Sequence, residues 1–163
     1  MPSATNDIRT RLEALTDFTV ADLHALAGGD IWRAARVLDP QPHSDEVTIS
    51  FSLICDPAVA ADDRLNFYWA NSDGGTPEII DAGIMATEGQ ITVANEISDV
   101  RDALDSVFSV RVDRVNQTVK GSFVVFSPGP SWQLLIELES AGGALAALGS
   151  VVRYKLGTPQ IQP

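Results

Sequence analysis

One cysteine, two histidines and eleven basic residues are all that the 163-residue chain offers of those types, and each scarcity closes off a class of function. Cys55 has no second cysteine with which to form an internal disulfide. With only His24 and His43 beside it, the chain lacks the ligands of a Cys/His zinc site, so neither a metal nor a cofactor is expected. The 22 acidic residues outnumber the basic ones two to one and set the net charge at -11. That balance excludes a phosphate-neutralising nucleic-acid binder and makes an anionic membrane surface a poor partner. No apolar run approaches the roughly 20 residues that a membrane-spanning helix needs. Asp7 and Glu13 stand where a signal peptide would carry its apolar core, so the expectation is a soluble protein made without such a signal. No Gly-x-Gly-x-x-Gly run follows a strand, and there is no phosphate-loop Gly-Lys-Ser/Thr, which leaves nucleotide chemistry without support.

What the chain does have is apolar material: 45% hydrophobic residues against 20% charged ones, enough for a core. Its charge is uneven. Residues 39–105 hold 14 acidic and 2 basic residues, whereas residues 106–163 hold 3 and 5. One surface should therefore be strongly negative, with the C-terminal third free to meet a neutral or acidic partner.

The hydrophobic period divides the chain. Ile8, Leu12 and Leu15, then Val20, Leu23 and Leu26, recur at three and four residues and predict two short helices. Thr19 with Asp22 resembles a capping box, and Gly28-Gly29 is a stop signal. This predicts a helical N-terminal arm over 1–38 and a Pro-rich linker over 39–45, fixed by Pro40 and Pro42. Beyond it the period becomes two: Val47, Ile49, Phe51 and Leu53 alternate with Thr48, Ser50 and Ser52. Further strands are expected at 64–70, 78–84, 90–94, 106–112, 118–126, 132–138 and 150–156, with a helical turn near 97–105 crossing one edge. About eight short strands over 46–163 predict a mainly β protein, an antiparallel, jelly-roll-like β-sandwich.

Catalytic candidates are few. A Ser or Cys nucleophile needs a base, and both histidines lie in the predicted arm and linker rather than on a scaffold. Cys55 has no adjacent cation to favour its thiolate and reads as a small buried hydrophobe. Asp62, Asp63, Asp73 and Glu78 sit in turn-like segments where acids are common for conformational reasons. Asn71-Ser72-Asp73-Gly74-Gly75 is similar to a calcium loop, but Ala82 stands where the twelfth-position glutamate belongs. No residue is assigned a catalytic role, and no enzyme activity is expected. An alternative is a carbohydrate-binding sandwich, or a glycosidase built on one, in which Tyr68 or Trp69 stacks on a sugar and Asp73 or Asp63 meets its hydroxyls. Because consecutive strand residues point to opposite faces, only one side of Phe67-Tyr68-Trp69 could be exposed.

Four segments carry a resemblance, Ala103 to Val110 (ALDSVFSV), Gln117 to Phe126 (QTVKGSFVVF), Trp132 to Ser140, and Ala144 to Tyr154 (ALAALGSVVRY), and the earlier Asn66 to Gly75 (NFYWANSDGG) also fits. In order and spacing they resemble small β-sandwich structural proteins of tailed bacteriophage particles, over roughly residues 46–156. The resemblance implies a non-enzymatic virion subunit, assembled in the host cytoplasm, that decorates or cements the capsid through protein contacts. Its implied partners are other virion proteins, the major capsid protein first, and further copies of itself. A tail or neck component is the alternative within that class. Arg111, Arg114 and Lys120, in the least acidic third, are the candidate partner-contacting residues, with the acidic segment toward solvent.

Overall fold

The computed structural model describes residues 8–12, 14–39, 44–72, 88–104, 106–113 and 118–161. Eleven strands are present among these: β1 (Ile8–Leu12), β2 (Thr16–Asp17), β3 (Ile31–Arg33), β4 (Val37–Leu38), β5 (Glu46–Ile54), β6 (Arg64–Ser72), β7 (Gly89–Ile91), β8 (Ser106–Arg111), β9 (Thr118–Phe126), β10 (Ser131–Glu139) and β11 (Val151–Ile161). They form two antiparallel sheets. The first runs β1-β11-β5-β9, with β2 also on β11; the second runs β7-β3-β10-β6-β8, with β4 also on β10. Setting aside β2, β4 and β7, successive strands cross from one sheet to the other except from β6 to β8, which are paired neighbours in the second sheet; the orders β1-β11-β5-β9 and β3-β10-β6-β8 are those of a jelly roll. The predicted β-sandwich is therefore present. The strand expected at 78–84 lies outside the described residues.

The alternation in β5 translates directly into the core. Val47, Ile49, Phe51 and Leu53 are buried while their neighbours are half-exposed. They meet Trp132, Leu134, Ile136 and Leu138 from β10 and Leu65, Phe67 and Trp69 from β6 in one continuous cluster. Aromatic rings fill its two ends. Phe67 packs against Phe51, Phe108 and Phe123, while Trp132 stacks on Trp69 at 4.4 Å between ring centroids and meets Phe18 and Tyr154 edge-on.

The N-terminal segment corrects the sequence expectation, because it is not a helical arm. It holds four short strands and one 3-10 turn, Ala21–Leu23, whose N-cap is Val20 with no side-chain capping bond, so Thr19 caps nothing. Spacings of three and four arose from a succession of brief elements, each stabilised by a distant partner. β1 pairs with β11, β3 and β4 pair with β10, and Leu26 accepts the Leu145 amide. Gly28-Gly29 does act as a chain reversal: a side chain at Gly28 would collide with the Ser140 carbonyl, and Gly29 has φ +90°. Leu23, Leu26 and Trp32 are completely buried in the sandwich core. Residues 40–43, which include His43 and the two linker prolines, lie outside the described residues. Their flanks are tied together: the Ser44 amide donates to Asp39 Oδ2 at 2.6 Å, and both residues are buried.

The helical turn expected at 97–105 is the helix α1 (Ala94–Ala103), and it covers the outer face of the second sheet. Ile97, Val100 and Leu104 pack there on Ile31, Tyr68, Ala70, Ile91 and Leu135. β10 is consequently buried on both faces for eight of its nine residues, which explains why its sequence, SWQLLIELE, is not a simple apolar-polar alternation.

Candidate interaction surface

The two sheets present very different outer faces. On the second sheet, under α1, a buried polar network takes up the ionisable groups. Glu137, 1% exposed in mid-β10, accepts a hydrogen bond from Tyr68 Oη at 2.6 Å and from Arg101 Nε at 3.0 Å, and it forms an ion pair with the Arg101 guanidinium. A carboxylate at that depth requires such partners. Burial first, and then the hydrogen bond to Glu137, hold the Tyr68 phenol well above its usual range; Arg101's own hydrogen bond to Glu137 raises the guanidinium. Beside it, Ser109 Oγ donates to Asn66 Oδ1 at 2.8 Å and Asn66 Nδ2 donates to Glu139 Oε2 at 3.1 Å. The polar groups of this network satisfy one another. It fastens a helix to a sheet.

Arg101→Ala leaves the buried Glu137 carboxylate with only Tyr68, and we expect a loss of about 2–3 kcal/mol. The lower part of the usual range applies because Arg101 is itself 46% exposed. Urea unfolding of the variant beside Arg101→Ala/Glu137→Gln measures it: the double variant should recover part of the loss, since the buried charge is gone.

This arrangement overturns the sugar-stacking reading of Tyr68 and Trp69. Adjacent strand residues do point to opposite faces, but both faces are covered: Tyr68 lies beneath α1, and Trp69 lies inside the sandwich against Trp132, its indole N–H directed to the Pro128 carbonyl at 3.4 Å. Neither ring offers a free face. Asp73 and Glu78 lie outside the described residues, as does the rest of the calcium-like loop beyond Ser72. His24 follows the 3-10 turn with Nε2 at 3.4 Å from the Ser150 carbonyl oxygen. Cys55 is buried, and its thiol is pushed up to about 11, first by burial and then by Asp56 and Asp63. Asp63 accepts the Ala60 amide at 2.8 Å in a turn, the conformational role anticipated for it.

The partner-contacting candidates separate. Arg111, at the end of β8, forms an exposed ion pair with Asp62, so its charge is answered within the chain; the expectation that it faces a partner while Asp62 faces solvent does not describe this pairing. Arg114 lies outside the described residues. Lys120 stands on β9, opposite Ser52 of β5, on the outer face of the first sheet.

That outer face is the notable surface. No helix or strand covers it among the described residues. Three neighbouring strands present Val151, Arg153 and Lys155 from β11, Thr48, Ser50 and Ser52 from β5, and Lys120, Ser122, Val124 and Phe126 from β9. The middle of the face is small and hydroxylated, with a shallow depression of about 220 Å³ beside Arg153. Three cations flank it in a chain with a net charge of -11; Asp17 pairs with Arg153, and Glu46 sits at one end. Of the three, the sequence singled out Lys120 as a candidate partner contact and did not single out Arg153 or Lys155. Their alternation with buried Val152 and half-buried Tyr154 in VVRYK was the available signal.

No family model matches the sequence, and no curated protein matches it. Among solved structures, dimeric latent PorU from Porphyromonas gingivalis is similar at 14% sequence identity and a TM-score of 0.39, over 98% of this chain and 14% of that one. A likeness this weak says nothing of what the chain does.

Proposed function

We propose that the chain is a non-enzymatic structural subunit of a tailed-bacteriophage particle, decorating or cementing the capsid through the open outer face of its first sheet. The observation that carries the reading is the contrast between the two sheet faces. One is sealed by α1 over a self-satisfied polar network. The other is flat, hydroxyl-rich and bordered by Lys120, Arg153 and Lys155 in an otherwise acidic molecule. A cement protein works by spreading contact area across several shell subunits, so that releasing one subunit also breaks its contacts with the cement. A flat sheet face suits that task, and the cations let an acidic protein approach an acidic shell in one orientation. Jelly rolls serve in capsids and in lectins alike, so the fold itself does not choose between these roles. The four-segment resemblance to phage structural proteins favours the first.

Co-sedimentation with shells of the encoding phage tests the surface. Lys120→Glu/Lys155→Glu should weaken association roughly tenfold or more at physiological salt, whereas Arg111→Glu, whose charge is already paired with Asp62, should change it little. Equal effects from both variants, or none from the first, would reject this face.

A further inference from the structure

We infer that β9 is a self-pairing edge, through which two copies of the chain join their first sheets antiparallel across a two-fold axis. The inference stands independently of the virion role.

Among the described residues six strands have a single partner; β2 and β4 are only two residues long, and three of the other four carry the devices that discourage edge pairing. β7 is three residues long. β8 is six residues long, with an irregular register at Phe67/Tyr68 and Arg111 at its end. β1 is five residues long and carries Arg9 and Arg11, which self-pairing would bring together. β9 is different. It runs nine residues in unbroken register with β5, from Glu46 opposite Phe126 to Ile54 opposite Thr118, without proline or bulge. No strand pairs its other edge among the described residues. Its outward residues include Val124 and Phe126, the latter 73% exposed.

The occupant follows from charge and register. Two copies of a chain with net charge -11 repel over most of their surface. β9, reading TVKGSFVVF, contains no carboxylate and a single cation. Only one antiparallel register pairs the whole strand with itself: Ser122 faces Ser122, Lys120 faces Val124, and Thr118 faces Phe126. All five outward residues of each copy then lie on one face. The aliphatic stem of Lys120 covers Val124, and its ammonium comes diagonally beside Phe126 and toward Glu46 of the other copy, while the two lysines are kept apart. The two five-stranded sheets become one, which doubles the flat outer face.

The full chain should sediment as a dimer in a concentration-dependent equilibrium. Val124→Asp/Phe126→Asp, on exposed positions, should retain the far-ultraviolet dichroism of the wild type and dissociate roughly 100-fold more readily. Cysteine substitution reads the register even if that variant misfolds. Ser122 residues facing each other are about 4.5–5.5 Å apart at Cα, within disulfide range, so Ser122→Cys should cross-link under mild oxidation. Thr118 residues are then about 27 Å apart, so Thr118→Cys should not. The inference is overturned by a wild-type chain that remains monomeric at hundreds of micromolar, by a dimer indifferent to the aspartate pair, or by cross-linking at Thr118 rather than Ser122.

Discussion

A chain that begins at Pro42 will not fold. Removing residues 1–41 takes away β1 to β4 and, with them, Leu23, Leu26, Ile31 and Trp32, all completely buried. At about 2–5 kcal/mol for each large core side chain lost, four such side chains reach the whole stability of a domain, about 5–15 kcal/mol. The truncation also strips β3 and β4 from β10, the central strand of the second sheet, and β1 and β2 from β11. Those edges would be left long, apolar and unpaired, so the expected product is insoluble or aggregated. A soluble 42–163 fragment with a cooperative thermal transition would show that the N-terminal strands are accessories rather than parts of the core.

Trp132→Ala should cost about 3–5 kcal/mol, about a third to a half of the stability of a mid-range domain. Trp132 is completely buried at the meeting of both sheets, stacked on Trp69 and edge-on to Phe18 and Tyr154. Its truncation would leave three aromatic rings without a common neighbour. The loss would be one of packing rather than hydrogen bonding, because the indole nitrogen has no hydrogen-bond partner among the described residues. Trp132→Phe should therefore retain much of the lost stability. Denaturant unfolding followed by circular dichroism separates the two variants; equal midpoints for Trp132→Ala and the wild type would contradict this placement.

The parts of the fold that could be read from sequence are those in which one face is buried and the other is not. In β5 the two-residue period survives intact into the structure, and Trp132 opening an apolar run marked the core strand correctly. Residues 8–38 misled because β2 and β4 are two residues long and β3 is three, too short to express a period. Their conformation comes from β10 and β11, whose paired residues lie roughly a hundred or more positions away in the chain. The Tyr68-Glu137-Arg101 network was only half-legible. A lone glutamate inside WQLLIELE signals that a partner is required, but nothing local indicates that a helix arriving from residue 94 supplies it. Tyr68 and Trp69 were misassigned for the same reason, since an aromatic strand with both faces covered and one with a solvent face have the same sequence pattern. The open basic face was visible only as a net charge of the C-terminal third. Its assembly from Lys120, Arg153 and Lys155 depends on β9 and β11 both flanking β5.

The proposed role meets its most direct test in a copy count. On that proposal a phage or prophage encodes the chain; its particles should be purified and the subunit quantified against the major capsid protein by mass spectrometry. A capsid-decorating jelly roll should co-purify at hundreds of copies per particle and remain through a density gradient. A ring-sized number would move it to the tail or neck, and its absence from intact particles would contradict a structural place in the virion.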